Sequence, residues 1–454
     1  MTTGDLRDAR ARRRLPPSRH AADTPDATSD TRPLGGEPRD RDAMFRAARY
    51  LTLAGMFFLS LLSIRITKSL SVSDGVFAIA SLLLALSRTR KAAMKSPVWF
   101  VGAYLFVLGG VIASFFAVSH LGSLLVVANS IYVLFVWRWL TYNVLTTPTW
   151  VERSMDFYVL GSALSSAVAI LQAKLHILGY RGNLPGVHAE AARAVGLSYQ
   201  PNLIGVTSAL ALTFALGLIL HSGLGRYRFR AVAMGVIALA LIFTASVSGM
   251  ACAGIGMLLL LVLKGVRIQR VLAVAVLVVG AYLIGNQLLG SGSNLNIFNR
   301  IHATTTAGSG ANTVSTRVET LKNAWAGIQQ SPIFGHGLDL TSSFVYYDPY
   351  LRPVTPYATH NVVLCIWYEG GILMLFGAAI CMGSGVRRMV GRYRSPVGDV
   401  VLAGAVVVIA FSMQGPELVD RWMWLPFVLA MVFRPPARRA IGPRPGATAA
   451  IAAD

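Results

Sequence analysis

The feature that most constrains this chain is a succession of apolar blocks, most of them roughly 17–25 residues long and most separated by short links. A block of that length crosses the hydrocarbon core of a bilayer as one helix, which satisfies every backbone N–H and C=O without water. The blocks fall at 45–64, 72–87, 98–118, 121–142, 154–178, 201–220, 230–246, 248–264, 271–290, 361–383, 398–414 and 421–434. The ten-residue alternation expected of membrane β-strands is missing. Hydrophobic residues make up 54% of the 454 and charged residues 13%, roughly half the charged share of a soluble domain. The sequence therefore predicts an all-α, polytopic membrane protein of about twelve transmembrane helices.

The net charge is +21, but its distribution argues against nucleic-acid binding. The basic residues occupy short links and polar tails, with no aromatic-interleaved basic patch on a soluble domain. Arg88, Arg90, Lys91, Lys95, Arg138, Arg153, Arg226, Arg228, Arg230, Lys264, Arg267, Arg270, Arg387, Arg388, Arg392 and Arg394 fall on one side when the blocks are threaded through a membrane. The positive-inside rule makes that side cytoplasmic, with both termini on it. Cys252, Cys365 and Cys381 lie within apolar blocks and are read as small packing residues, with no disulfide framework.

Five regions follow. Residues 1–44 form a disordered, basic cytoplasmic arm, too poor in large apolar residues to bury a core. Within it, Asp40-Arg41-Asp42 has the form of a metal-binding Asp-X-Asp but reads as chance. Residues 45–290 carry spans one to nine, 291–360 form a large extracytoplasmic loop, 361–434 carry spans ten to twelve, and 435–454 form a cytoplasmic tail.

That large loop is far longer than a simple connection needs. Its first half, Ser291 to Asn312, is rich in Gly, Ser, Thr and Asn. Beyond it, Thr316-Arg317-Val318-Glu319 has the pattern of a capping box opening a helix. Val318, Leu321, Trp325 and Ile328 then recur at three- and four-residue spacing, predicting one apolar stripe on a helix at the membrane surface or over a cavity. Ser331-Pro332 ends it and Gly335-His336-Gly337 makes a turn. At 100° per residue, Arg317 falls about 60° from the stripe's centre, at the boundary with water. There it is either a snorkelling side chain or a guanidinium aimed at an anion.

His360-Asn361 stands where this loop enters the tenth span. Glu369 follows about 12 Å deeper along the helix, and an ionisable group at such depth points to function. On a continuous helix His360 and Glu369 face opposite ways, so Glu369 does not orient His360. Arg193 and Asn202 flank the start of the sixth span, with Pro201 suited to its first turn. A zinc site from His336, Asp339 and His360 lacks a dense ligand cluster. No metal or other cofactor is expected.

Taken together, Arg317 to Trp325, then Ser331-Pro332-Ile333-Phe334-Gly335-His336-Gly337, then His360-Asn361 with Glu369-Gly370-Gly371, resemble the signature of the O-antigen ligase and polymerase superfamily. Arg193, Gly196, Pro201 and Asn202 resemble that family's earlier outer loop. The resemblance is specific over about residues 190–205 and 314–377 and elsewhere rests on topology. It implies the multi-helix membrane glycosyltransferase (GT-C-like) fold in a bacterial cytoplasmic membrane. It also implies transfer of a polyprenyl-diphosphate-linked glycan to an acceptor hydroxyl outside that membrane. Carried over residue by residue, Arg193 and Arg317 would hold the diphosphate and His360 would be the base. His336, Asn361, Asn202 and Glu369 complete the candidate substrate-binding set. The partners implied are the lipid-linked donor, a glycan or lipid-glycan acceptor, and membrane lipids.

One departure stands out: Ser248-Gly249-Met250 occupies the place where the family often carries a Ser-Arg pair. Either Arg181, in the neighbouring outer loop, substitutes, or the donor differs. A repeat unit, a lipid core or a protein as acceptor would make the enzyme a polymerase, a ligase or an oligosaccharyltransferase, and the sequence does not choose among them. The competing classes are a twelve-helix transporter or lipid-linked glycan flippase, which would place polar residues and broken helices near the midplane, and a non-catalytic scaffold.

Overall fold

The computed structural model describes residues 42–64, 71–89, 91–94, 96–175, 194–198, 200–223, 228–267, 269, 313–338, 346–347, 353–354, 359–391, 395–415 and 420–433. The helices are α1 (Ala43–Phe58), α2 (Val72–Leu86), α3 (Pro97–Ser114), α4 (His120–Ile131), α5 (Arg138–Val144), α6 (Pro148–Leu175), α7 (Pro201–Ser222), α8 (Arg228–Phe243), α9 (Val247–Leu263), α10 (Thr313–Gln330), α11 (Val362–Val390), α12 (Pro396–Ser412) and α13 (Arg421–Val432). A π-helical segment, Tyr132–Trp137, joins α4 to α5. The described residues are helical as expected, apart from a small ribbon in which β1 (Tyr346–Tyr347) pairs antiparallel with β2 (Pro353–Val354). The ninth expected span, residues 1–41 of the expected arm, the tail 435–454, and Ser291 to Asn312 lie outside the described residues, while residues 42–44, expected in the disordered arm, cap and open α1.

Local chemistry explains where the helices begin. Proline opens α3, α7 and α12, where its missing N–H costs nothing. Ser71 and Asp74 form a reciprocal capping box at α2, Ser246 caps α9 and Asn361 caps α11. Asp42, noted in the arm's Asp-X-Asp, is the cap of α1: its Oδ1 accepts from Met44 N at 2.9 Å.

Among the described residues, five helical stretches are long and apolar enough to cross a membrane, with shorter apolar helices at α2, α9, α12 and α13. The chain is a multi-pass membrane protein. Between apolar helices in lipid, association comes from close packing rather than from escape from water. Accordingly α3 and α11 run antiparallel with glycines at the seam: Gly102 faces Cys381, Gly377 faces Phe106 and Gly109 faces Met374. All three cysteines are buried thiols. Helix α7 is enclosed on every side, its buried residues running from Leu203 to Leu218 almost without a break.

Cross-links between helix ends sort the molecule into two faces. At one, Asp42 Oδ2 accepts from Arg88 N at 2.6 Å, Asn143 Oδ1 from Ala92 N at 2.7 Å, and Phe433 O from Arg388 Nε at 2.9 Å. Arg230 grips Asp156 with both arms at 2.7 and 2.8 Å, and Lys264 lies 3.6 Å from Asp399. This is the basic face. At the opposite face, Leu338 N donates to Ser123 Oγ at 2.9 Å, Ser63 N donates to Leu197 O at 3.0 Å, and Arg421 Nε lies 2.6 Å from Asp74 Oδ1.

Candidate functional site

The helix expected in the large loop is present, but its start and its rotation differ from expectation. It begins at Thr313, so Thr316 to Glu319 lies inside the first turns and does not cap them. The packed face is Thr320, Ala324 and Ile328, with Arg317 half-buried beside them, while Val318 and Trp325 of the expected stripe are 45% and 46% exposed. At 100° per residue the packed face is rotated about 75° from the predicted one. Arg317 therefore stands on the inner face, not at its edge, and burial pushes its pKa below the usual arginine value. The reason is packing: small residues let α10 approach α11, and a Cβ on Gly327 would overlap the Tyr368 ring. Val318 is left outward, while the half-exposed Trp325 packs edge-to-face on Trp367 of α11, with ring centroids 5.7 Å apart.

After α10 the chain turns at Gly335 and Gly337, both with positive φ, and inserts into α11. There α11 is broken, with Gly371 at φ 69° and ψ −175°. The break frees backbone groups that a membrane cannot solvate, and the preceding turn supplies their partners. His336 N donates to Tyr368 O and Gly337 N to Glu369 O, each at 2.9 Å, while Ile372 N donates to Pro332 O at 3.1 Å. Trp367 Nε1 also donates to Pro332 O at 2.9 Å. Ser331 to Gly337 is thus a plug fitted to the broken helix.

His336 is part of that plug. Its Nε2 donates to Gly327 O at 2.9 Å, and its ring stacks on Tyr368 with centroids 4.5 Å apart. His360 is half-buried immediately ahead of α11, following the fully buried Thr359. Asn361 accepts from Leu364 N at 3.0 Å as the helix cap, leaving His360 just outside the helix end. Glu369 is buried in the last turn before the break, where Cys365 Sγ donates to its Oε1 at 3.4 Å.

Arg193 lies outside the described residues, but the segment after it is firmly held. Gln172 Oε1 accepts from Val195 N and Gly196 N at 3.2 and 2.8 Å, and its Nε2 donates to Gly196 O at 3.2 Å. Leu197 N donates to Ser165 Oγ at 3.0 Å. Asn202, in the first turn of α7, accepts from Ser246 Oγ at 3.4 Å, which joins the openings of α7 and α9 beside Ser248.

Sequence reasoning missed a buried polar network at the same face. Besides the Asp74–Arg421 contact, Arg421 Nη2 donates to Asn129 Oδ1 at 2.5 Å and Tyr132 OH to Asp74 O at 3.2 Å. Asp74 and Arg421 sit in the first turns of α2 and α13, which a hydropathy reading treats as boundaries, whereas Asn129 and Tyr132 lie inside the fourth apolar block. The signal available was an aspartate at α2 and an arginine at α13, both at the ends opposite the basic loops.

The class these elements define is a multi-pass helical membrane protein whose plugged, broken helix α11 is entered at His360 from the face opposite the basic loops. Residues 231–379 match the family model described as O-antigen ligase, and this supports placing the chain in the O-antigen ligase and polymerase superfamily. The match contains Arg317, His336, His360, Asn361 and Glu369; Arg193 and Asn202 precede it and Arg421 follows it. Comparison with curated proteins finds no match.

Proposed function

We propose that this protein transfers a glycan from a polyprenyl diphosphate carrier to an acceptor hydroxyl on the outer face of a bacterial cytoplasmic membrane. In this reading the chain has twelve spans of the GT-C-like type, with the basic face and both termini cytoplasmic. His360 takes the acceptor proton, and its position just outside a capped helix end leaves the ring at the headgroup layer. Arg317 and Arg193 carry the charge that develops on the departing diphosphate, an electrostatic role that requires no metal. Asn361 fixes the helix start beside His360, and Asn202 and Glu369 bound the site.

The observation that carries the reading is the half-buried Arg317 on the packed face of α10, fastened to the helix that His360 introduces. A snorkelling arginine would sit at the water boundary instead. The plug at the break in α11 also favours an enzyme over a transporter. Transporters use broken helices to expose backbone to a substrate cavity, whereas here the freed groups at Tyr368, Glu369 and Ile372 are taken up by the chain itself.

The test is reconstitution. Purified protein in liposomes, given a radiolabelled lipid-linked glycan and an acceptor, should form a covalent glycan–acceptor product. Movement of label across the bilayer with no new covalent product would refute the proposal in favour of transport.

A further inference from the structure

His336 joins three elements at one point. It donates from Nε2 to Gly327 O on α10, stacks on Tyr368 of α11, and donates from its backbone N to Tyr368 O. Tyr368 in turn covers Gly327 so closely that a Cβ there would overlap its ring. The imidazole is therefore committed on one edge and one face to holding α10 against α11. A histidine that binds substrate or moves a proton needs its ring free to meet the ligand.

We infer that His336 is a positioning residue: it fixes the rotation of α10 and so aims Arg317, and it does not contact substrate. This rests on Arg317 holding the donor diphosphate. The coupling is mechanical. A helix transmits rotation along its length, and Gly327 and Arg317 lie on the same uninterrupted helix. At a side-chain radius of about 6 Å, a rotation of about 20° moves an outer atom by about 2 Å. A displacement of about 1 Å in a positioning group can cost about a hundredfold in rate.

The test uses the full chain in detergent, with geranylgeranyl diphosphate as the binding probe and glycan transfer as the second readout. His336→Phe keeps the stacking and removes the donated hydrogen bond; His336→Gln keeps an N–H at similar reach. His336→Phe should weaken probe binding about tenfold or more, and His336→Gln should retain most of both binding and transfer. In the Arg317→Ala background, His336→Phe should cause no further loss of binding, because the effect runs through Arg317.

His336→Gln as damaging as His336→Phe would overturn the inference and return the imidazole to direct substrate contact. A His336→Phe loss that adds in full to that of Arg317→Ala would overturn it as well. Arg317→Ala with normal probe binding would remove Arg317 from the donor site, and the inference would fall with that reading. Should His336→Phe not fold, Tyr368→Leu probes the same joint from α11, and full probe affinity in that variant would equally sink the idea.

Discussion

Gly371 and Ile333 approach so closely that a Cβ on the glycine would overlap the isoleucine's carbonyl oxygen. Gly371 also has φ 69°, a region that L side chains rarely adopt. The broken helix and the plug that fills it therefore require glycine at this position twice over. Gly371→Ala should destabilise the protein by about 2 kcal/mol or more from strain and overlap together. Gly383, farther along α11 with open space around it, is the control. Thermal melting of both variants in detergent should show a large drop for the first and little change for Gly383→Ala.

The Asp74–Arg421 contact is buried on both sides, at 4% and 9% side-chain exposure. Breaking one partner strands the other's charge. Arg421→Met should cost about 3 kcal/mol by stranding the Asp74 carboxylate, whereas Asp74→Asn with Arg421→Met, which keeps a capping oxygen at position 74, should cost much less. Chemical denaturation of the two variants decides: equal losses would mean that the pair is not electrostatically coupled.

Arg317→Lys tests whether the guanidinium grips an anion by its fork. Lysine retains charge but loses the planar pair of donors. Transfer by Arg317→Lys should fall nearly as far as by Arg317→Ala. Recovery of most activity with lysine would reduce Arg317 to an interfacial charge.

His360→Ala should lower transfer by about 10²–10⁴, the usual worth of a positioned general base. Expression, membrane insertion and donor binding should stay close to those of the parent. Turnover and binding measured on the same purified sample separate the roles, and near-parental turnover would take His360 out of the mechanism.

Sidedness is tested with single cysteines. Val118, in the α3–α4 link, is 92% exposed, and Arg228 opens α8 at the basic face. With Cys252, Cys365 and Cys381 replaced, Val118→Cys should react with an impermeant thiol reagent in intact cells and Arg228→Cys should not. The reverse pattern would invert the topology.

How much was legible beforehand differs by element. The apolar blocks located α3, α6, α7 and α11, because in a membrane the run length that satisfies the backbone is itself the signal. The stop at Ser331-Pro332 and the turn at Gly335 and Gly337 were equally readable, since proline and glycine act locally. The orientation of α10 was not. Its spacing marked Val318 and Trp325 as part of the stripe, yet both are about half exposed while Thr320, Ala324 and Ile328 are buried. In lipid the bulky apolar side can face outward, so apolar periodicity no longer says which side packs.

What the sequence by itself determined is thus the membrane class, the stop and turn after α10, and the residue types on offer for phosphate and proton chemistry. Only the tertiary structure decided that α11 breaks at Gly371, that Ser331 to Gly337 fills the break, and that His336 bolts α10 to α11. It alone brought Arg421 to Asp74 and Gln172 to the Val195-Gly196 backbone. These contacts join positions far apart in the chain, and each depends on matching a donor to an acceptor across two helices. Local propensity and hydropathy carry no information about such a match.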